Sequence, residues 1–191
     1  MFKDLVKANR SYRGYDENYV VTREDLVDLV DHARLAPSSV NAQPFRYLLA
    51  CEKEVVSKIQ PLTGWARALP ELNLPHDGEC PTAFIVICQD LNLGEAIARY
   101  QKDVGIVAQT ILLAAVEKGL GGIMIGNFSP AKVSEELNLA ENLTLVLIIA
   151  IGKPDEEIVL TEANEGDNIQ YYRDENDVHY VPKRRLEDII L

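Results

Sequence analysis

Cysteine is scarce in this chain of 191 residues, and the few that occur match no metal site. The spacings of Cys51, Cys80 and Cys88 do not form the close pairs typical of zinc ligands. An odd number of thiols cannot all pair in disulfides, so we expect buried, reduced cysteines and a reducing compartment. Long hydrophobic runs are also missing, since no apolar stretch approaches the length of a membrane span. Polar residues follow closely after Met1, so no signal peptide is expected, and the sequence predicts a cytoplasmic protein.

Positive charge is in short supply as well. The chain has 19 Lys and Arg against 30 Asp and Glu, which gives a formal net charge of -11. Phosphate backbones and anionic lipid surfaces attract basic proteins, so neither nucleic acid nor a membrane is expected as a partner. Hydrophobic residues make up 47% of the chain and charged residues 26%, which is typical of a globular protein. At this length we predict a single domain over residues 1–191.

The residues that usually carry hydrolytic or metal chemistry form no recognisable pattern. The three histidines, His32, His76 and His179, have no mutual spacing that suits a metal, and each is expected on the surface or in a loop. No serine or cysteine lies in a nucleophile elbow, and no pair of carboxylates stands out from the acidic background. We therefore expect neither a metal site nor a catalytic side chain of these kinds.

A polar loop over residues 36–45 is the most informative part of the sequence. It follows an amphipathic helix, precedes an apolar strand, and concentrates proline, hydroxyl and carboxamide residues: Pro37, Ser38, Ser39, Asn41, Gln43 and Pro44. A plain connector needs only one or two turn formers. These polar groups can both donate and accept hydrogen bonds, which suits a planar heterocycle with alternating donors and acceptors along its edge. The alternative is a helix-to-strand connector in which Asn and Ser have turn roles.

Four cations lie near the two ends of this acidic chain. Arg10 and Arg13 flank Ser11 near the start, and Lys183 and Arg185 lie close to the end. If the two ends meet, the cations form one anion pocket, because guanidinium groups bind phosphate oxygens bidentately and lysine adds a point charge. The alternative is two separate, solvated basic patches.

Hydrophobic periodicity predicts helices and strands interleaved around one sheet, which indicates the α/β or α+β class. Helices are expected over about residues 2–8, 22–36, 54–60, 93–118 and 129–137. Strands are expected over residues 45–51, 82–88, 121–125 and 143–151. Thr22 begins the second helix with a capping box, and the Ser129–Pro130 pair begins the last one. No helix or strand is predicted in the polar tail from Asp155 onward.

Two segments are open to more than one interpretation. Residues 106–116 of the long helix are apolar almost all round, which is typical of a central buried helix or of one covered by another subunit. Residues 61–81 are rich in proline and glycine and contain the only tryptophan, Trp65. Long irregular segments in compact domains are often functional, so this one is a candidate lid.

The basic cluster and the polar loop together resemble the signatures of the nitroreductase family of FMN enzymes. That family has a basic-Ser-x-basic element near its start and a Pro-Ser-Ser-x-Asn-x-Gln-Pro loop further on, matched here by residues 10–13 and 37–44. Lys183 and Arg185 fit its Lys-x-Arg element near the C-terminus. Many members have a second basic residue before the serine, where this chain has Asn9, so Asn9 is not expected to bind the cofactor. The resemblance extends from Asn9 to about Leu186.

The resemblance implies both a fold and an activity. The fold is α+β in three layers, α/β/α, with a central mixed, mainly antiparallel sheet flanked by helices. The activity is that of a homodimer with FMN at the interface, which takes hydride from NADH or NADPH. It then reduces a small acceptor such as a nitroaromatic or a quinone in a ping-pong cycle. The electron chemistry belongs to flavin N5, which accounts for the lack of an evident catalytic side chain.

The cofactor contacts implied by the resemblance fall into three groups. Those expected near the phosphate are Arg10, Ser11, Arg13, Lys183 and Arg185. Those expected against the ring, in part from the partner subunit, are Pro37, Ser38, Ser39, Asn41 and Gln43, with the phosphate as an alternative contact for the two serines. Those expected to present backbone near N5, at the end of a glycine-containing strand, are Ile125 and Gly126.

Arg13 has a further role in this scheme. A fixed cation near the N1 and C2 carbonyl region stabilises the anionic reduced flavin and raises its reduction potential. The alternative for Arg13 is a structural salt bridge to one of the many acids. For Gly121 and Gly122, close packing of the strand on the long helix is an equal alternative to a role near the flavin.

Other functions are compatible with the same residues. One is a different flavin reaction on this fold, such as dehydrogenation, reductive dehalogenation or flavin degradation. Another is a non-catalytic flavin carrier. A third, a protein that binds an apolar ligand without flavin, requires both signature matches to be accidental.

Overall fold

The structure is a computed structural model that describes residues Met1–Leu191. It contains five α-helices: α1 (Phe2–Ala8), α2 (Arg23–Arg34), α3 (Lys53–Ile59), α4 (Ile97–Glu117) and α5 (Pro130–Glu136). It contains seven strands: β1 (Phe45–Ala50), β2 (Ala83–Asp90), β3 (Gly121–Ile125), β4 (Leu143–Gly152), β5 (Ile158–Ala163), β6 (Tyr172–Arg173) and β7 (His179–Arg184). All five predicted helices and all four predicted strands are confirmed, with ends that differ by at most a few residues. No helix has both the length and the apolar character needed to cross a bilayer.

The strands form two sheets, where the sequence pattern predicted one. The first sheet has the order β1-β2-β4-β3 and is antiparallel at every pairing. The second has the order β5-β7-β6, with β5 and β7 parallel. Ser11 adds an isolated parallel bridge to Gly122 on β3, at the edge of the first sheet. The α+β class with a mainly antiparallel sheet between helices is confirmed.

Helices cover both faces of the first sheet, which explains why β2 is apolar over residues 83–88 and β4 over residues 145–151. In β2, Ile85 and Ile87 belong to a core cluster with α2 and α4, whereas Phe84 and Val86 belong to a second cluster with α3 and α5. Neighbouring residues of a strand point to opposite faces, so a strand buried on both faces reads as a continuous hydrophobic run. Each fully buried side chain of this size contributes about 1.5–3 kcal/mol. The result is the three-layer arrangement, with helices on both sides of the sheet.

The start of α2 is fixed by the local signal predicted from the sequence. The Thr22 hydroxyl accepts a hydrogen bond from the Asp25 backbone N–H at 3.1 Å. The Asp25 carboxylate accepts one in return from the Thr22 backbone N–H, also at 3.1 Å. This reciprocal pair satisfies two amide donors that a helix start leaves without partners. It fixes where α2 begins, and therefore where the polar loop that follows it emerges.

The C-terminal tail is the largest departure from the sequence prediction. Residues from Asp155 onward were assigned no regular structure, yet they form β5, β6 and β7. Charged residues and Pro182 interrupt any alternating pattern in β7, and β6 has only two residues. Strands of this kind depend on pairing partners that are distant along the chain, so a local reading does not reveal them.

The irregular segment 61–81 packs against this tail. Ala66, Leu69 and Leu74 form a small apolar cluster, with Tyr171 from the tail against it. The Gly64 N–H donates to the Asn127 carbonyl at 2.7 Å, which ties the segment to the chain just after β3. A Cβ atom at position 64 would overlap the Asn127 side chain, so a larger residue there would displace that side chain.

Candidate functional site

A cavity of about 390 Å³ lies where the two ends of the chain meet. The segment after α1, helix α4, strand β3 and strand β7 all contribute to its walls. Its polar lining includes Asn9, Arg10, Ser11, Arg13, Gln109 and Lys183. Leu112, Met124 and Val181 contribute apolar surface. The cavity therefore combines cationic groups from the first 13 and the last 9 residues of the chain in one place.

The edge of the first sheet holds the N-terminal cationic segment. The Tyr12 N–H donates to the Gly122 carbonyl at 3.3 Å, beside the Ser11 bridge to the same residue. A Cβ atom at Gly121 would lie 2.5 Å from the Tyr12 ring, so only glycine allows this approach. The structure therefore shows a close-packing role for Gly121, against Tyr12 and Pro154.

Arg13 is the most buried cation in the cavity, with 8% of its surface exposed. Its guanidinium Nη1–H donates to the Ser11 carbonyl at 3.0 Å and its charge lies 4.8 Å from the centre of the Tyr171 ring. Burial lowers the pKa of Arg13, and the nearby Tyr171 and Glu156 oppose that shift. An arginine at neutral pH nevertheless stays protonated.

The backbone around Arg13 is held by a buried ion pair from the second sheet. The Glu156 carboxylate accepts hydrogen bonds from the backbone N–H groups of Arg13 and, at 3.2 Å, Gly14. The same carboxylate pairs with Arg173, and both side chains are almost fully buried, at 3% and 2% exposed. Arg173 also contacts Asp177 at 2.6 Å. A buried carboxylate with this many donors is a rigid support, since each bond to a charged group contributes about 1.5–3 kcal/mol.

The three cations that line the cavity pair with no carboxylate of the chain. Arg10, Arg13 and Lys183 are absent from every ion pair in the structure, although the chain carries 30 acidic residues. The buried Nε atoms of Arg10 and Arg13 have no hydrogen-bond partner. Buried polar groups are normally satisfied, so this donor set fits an anionic ligand such as a phosphate.

The polar loop is anchored to α4 by one buried carboxylate. The Ser38 hydroxyl donates to Asp103 at 3.0 Å and the Ser39 backbone N–H donates to the same oxygen at 2.6 Å. The Gln43 side-chain amide donates to the Asn41 side-chain oxygen at 3.0 Å. The hydroxyls are half-buried, while Pro37, Asn41 and Gln43 are exposed at the surface.

This loop also has an unusual backbone. Val40, Asn41 and Gln43 have positive φ angles of 49°, 54° and 47°. The left-handed region is unfavourable for non-glycine residues, and most of all for a β-branched one such as Val40. Such conformations concentrate at binding sites, where the surrounding structure maintains them.

The loop and the cationic cavity lie on opposite sides of α4. Asp103, which anchors the loop, and Leu112, which lines the cavity, are nine residues apart on this helix. At about 100° per residue they project in opposite directions. A smaller cavity beside the loop is lined by Ser38, Gln43 and Asp103 and shares no residue with the cationic one.

A comparison with known protein families matches residues 6–153 to the model described as the nitroreductase family. The chain belongs to the nitroreductase family. Its first motif and its polar loop both lie within the matched residues, whereas Lys183 and the second sheet lie beyond them. The protein is accordingly a flavin oxidoreductase of the nitroreductase family.

Individual relatives are distant in sequence but similar in fold. A protein of Archaeoglobus fulgidus with the provisional name NADH dehydrogenase/NAD(P)H nitroreductase is 25% identical over 166 residues, 84% of this chain and 90% of the relative. A crystal structure from Staphylococcus epidermidis, described provisionally as an NAD(P)H:FMN oxidoreductase, has a TM-score of 0.73 at 20% identity and covers 100% of this chain and 95% of its own. A crystal structure of a nitroreductase-like protein from Exiguobacterium sibiricum, solved in complex with FMN, has a TM-score of 0.67 at 22% identity and covers 81% and 88% of the two chains.

The remaining residues predicted from the nitroreductase signatures lie apart from the cavity lining. Arg185 is outside the lining and its guanidinium contacts Asp188 at 3.3 Å and Glu187 at 3.4 Å. Ile125 is buried at the end of β3, and Gly126 is exposed, with open space where a side chain would lie. Ile125 ends β3 and Gly126 follows it, next to Met124 of the same strand, which lines the cavity.

His179 is the cavity-lining residue that sequence reasoning missed. All three histidines were expected in loops or at the surface, but for His179 this is wrong, because it lies in β7 with 2% of its surface exposed. It lines the cationic cavity, and burial together with the charges of Arg13 and Arg173 lowers its pKa to about 4. The only signal in the sequence is the period-2 spacing between His179 and Lys183, which is typical of one face of a strand. This spacing is not recognisable unless the tail is predicted to contain a strand.

The cysteine prediction is also only partly right, since Cys88 is buried and Cys51 and Cys80 are half-buried.

Proposed function

We propose that the chain is an FMN-dependent NAD(P)H oxidoreductase that reduces nitroaromatic, quinone or similar acceptors by a ping-pong mechanism. The observation that carries the proposal is the set of three unpaired cations, Arg10, Arg13 and Lys183, in one cavity of an otherwise acidic protein. The proposal treats residues 1–191 as one FMN-binding domain.

The cationic cavity suits the phosphate end of the cofactor. Arginine binds phosphate oxygens through paired N–H groups, and Lys183 adds a mobile point charge. Ser11, which bridges to β3, offers a hydroxyl beside them. Arg185 is part of the proposal only if its contacts with Asp188 and Glu187 give way when the ligand binds.

A second copy of the chain would bring the polar loop to the cavity. Within one chain the two features lie on opposite sides of α4, and the cavities beside them share no lining residue. Apolar residues are exposed near the cavity, with Val6 at 39% and Ile106 at 40%. These residues suit burial against a partner, and a homodimer would place Ser38, Ser39 and Asn41 of one copy against the ring held by the other.

The chain's own residues bind and orient the cofactor, and the bound FMN supplies the electron chemistry at N5. Arg13 is fixed by Glu156 and Tyr171, so its charge is in place before any ligand arrives. A preorganised cation stabilises negative charge without the cost of rearrangement. Arg13 is therefore the group that favours the reduced, anionic flavin. A cytoplasmic location is part of the same proposal, supported by three free cysteines.

The test is a visible spectrum of the purified protein before and after anaerobic addition of NADH or NADPH. We expect a yellow protein, or one that becomes yellow on reconstitution with FMN, and bleaching by one of the two donors. Addition of a nitroaromatic or a quinone should then restore the colour. A colourless protein that takes up no FMN contradicts the proposal. Bound FMN that neither donor reduces indicates the non-catalytic carrier instead.

A further inference from the structure

The side chain of His179 is buried at the cavity wall without a hydrogen bond. Neither Nδ1 nor Nε2 has a partner, and the closest acidic oxygen, Oε2 of Glu156, is 3.8 Å from Nδ1. The edge of the Tyr171 ring packs on the imidazole, with ring centres 5.4 Å apart at 69°. Buried ring nitrogens are normally satisfied by protein or ordered water, so both nitrogens are free to take a partner from the cavity that His179 lines.

Strand β7 places His179 at a different end of the cavity from Lys183. The two residues and Val181 alternate along one face of the strand, and all three line the cavity. Four strand residues span about 13 Å. Tyr171 contacts both the Arg13 guanidinium and the His179 ring, so Arg13 shares the His179 end.

We propose that His179 is a further cofactor-contacting residue, which hydrogen-bonds the polar pyrimidine edge of the flavin beside Arg13. This inference rests on the proposed function, because it takes FMN as the occupant of the cavity. In this inference His179 binds the flavin ring and not the phosphate. His179 lies on β7, outside the residues matched to the family.

The protonation state of His179 favours the ring over the phosphate. Its pKa of about 4 leaves the imidazole neutral at physiological pH, because burial and the charges of Arg13 and Arg173 disfavour a third cation. A neutral imidazole has one donor and one acceptor nitrogen. The flavin pyrimidine edge offers both carbonyl oxygens and an N–H, whereas a phosphate offers acceptors only. Arg13 can donate to this edge but cannot accept, so the two side chains are complementary.

The test compares FMN with riboflavin, which has the same ring and no phosphate. Dissociation constants of both ligands are measured by fluorescence titration of the flavin-free protein. The variants are His179→Phe, which removes the polar atoms, and His179→Gln, which keeps a donor and an acceptor. Lys183→Ala reports on the phosphate end, and His32→Phe, at an exposed position on α2, is the matched control.

We expect His179→Phe to weaken FMN and riboflavin equally, by about tenfold, which corresponds to one lost hydrogen bond. His179→Gln should restore most of the affinity, Lys183→Ala should affect FMN alone, and His32→Phe should affect neither. Unchanged binding of both ligands by His179→Phe overturns the inference while leaving the proposed function intact. Loss of FMN binding alone overturns the assignment to the ring. If the unaltered protein binds no FMN, the proposed function fails and this inference fails with it.

A second measurement needs no substitution. The ¹⁵N resonances of the His179 imidazole are followed while riboflavin is added to the unaltered, flavin-free protein. A new hydrogen bond to either ring nitrogen shifts its resonance, and the His32 resonances should stay in place. Saturation with riboflavin without any shift at His179 contradicts the contact.

Discussion

At the scale of single residues, the site depends on how Arg13 is held. Its guanidinium has one hydrogen bond, to the Ser11 carbonyl, and the Tyr171 ring against it, and no carboxylate neutralises it. The salt bridge considered for Arg13 from the sequence is not formed, since Glu156 contacts its backbone and pairs with Arg173. The charge of Arg13 is thus both fixed in position and available to a ligand.

The first prediction concerns the substitution Arg13→Ala. Loss of a preorganised cation should weaken FMN binding at least tenfold and lower the midpoint potential of the bound flavin. Each tenfold difference between the affinities for oxidised and reduced flavin corresponds to about 30 mV. Isothermal titration and anaerobic redox titration measure the two effects. Arg184→Ala, at an exposed neighbouring cation, should change neither, and an unaltered potential in Arg13→Ala would refute the role.

The sequence motifs predicted which cations lie close together, because each motif is a short, contiguous segment. Arg10, Ser11, Arg13 and Lys183 do line one cavity. Arg185 lies outside that lining, and the expectation for His179 is wrong. The environment of Arg185 is set by Asp188 and Glu187, and the burial of His179 by residues far along the chain. The contacts that bury His179 are tertiary and leave no local pattern, whereas those of Arg185 are made to residues two and three positions along the chain.

At the scale of elements, helix α4 separates and supports the two halves of the site. Asp103 on one side holds the polar loop, while Gln109 and Leu112 face the cationic cavity. In the sequence, the second half of this helix is apolar almost all round. That pattern is compatible with a helix buried in the core or with one covered by another subunit. The structure shows one buried side, with Ile106 and Gln109 exposed on the other.

The second prediction is that Asp103→Ala loosens the polar loop. The Ser38 hydroxyl and the Ser39 N–H would lose their shared acceptor, and an unsatisfied buried donor costs about 1–3 kcal/mol. The melting temperature should fall by several degrees, and FMN affinity should fall although Asp103 is remote from the cationic cavity. Thermal unfolding and FMN titration check both. Lys102→Ala, on the exposed side of the same turn, should leave both values near those of the unaltered protein.

The strands of the first sheet were predictable from the sequence because successive residues along each strand have a similar environment. β2 and β4 are covered on both faces, so residues 83–88 and 145–151 form continuous apolar runs. The second sheet was not predictable, since β5, β6 and β7 have mixed burial and pair across long stretches of chain. Propensity alone does not identify strands of this type.

At the scale of the whole molecule, the position of the loop relative to the cavity argues for a two-chain site. The third prediction is that Ile106→Glu weakens both the dimer and FMN binding, because a charge would enter the apolar face beside the cavity. Analytical ultracentrifugation and flavin absorbance, measured on the same samples, should show both losses together. Val27→Glu, at an apolar position on α2 that is 50% exposed against 40% for Ile106, should affect neither. A monomer that keeps stoichiometric FMN would contradict the two-chain site.

Tyr171 links the segment over residues 61–81 to the Arg13 guanidinium. Its ring lies against Arg13 and also against the small cluster formed by Ala66, Leu69 and Leu74. A replacement of residues 61–81 would therefore shift that ring and, with it, the position of the Arg13 guanidinium. Under the proposed function, we expect such a change to alter the flavin potential, because one aromatic side chain joins the segment to the cation.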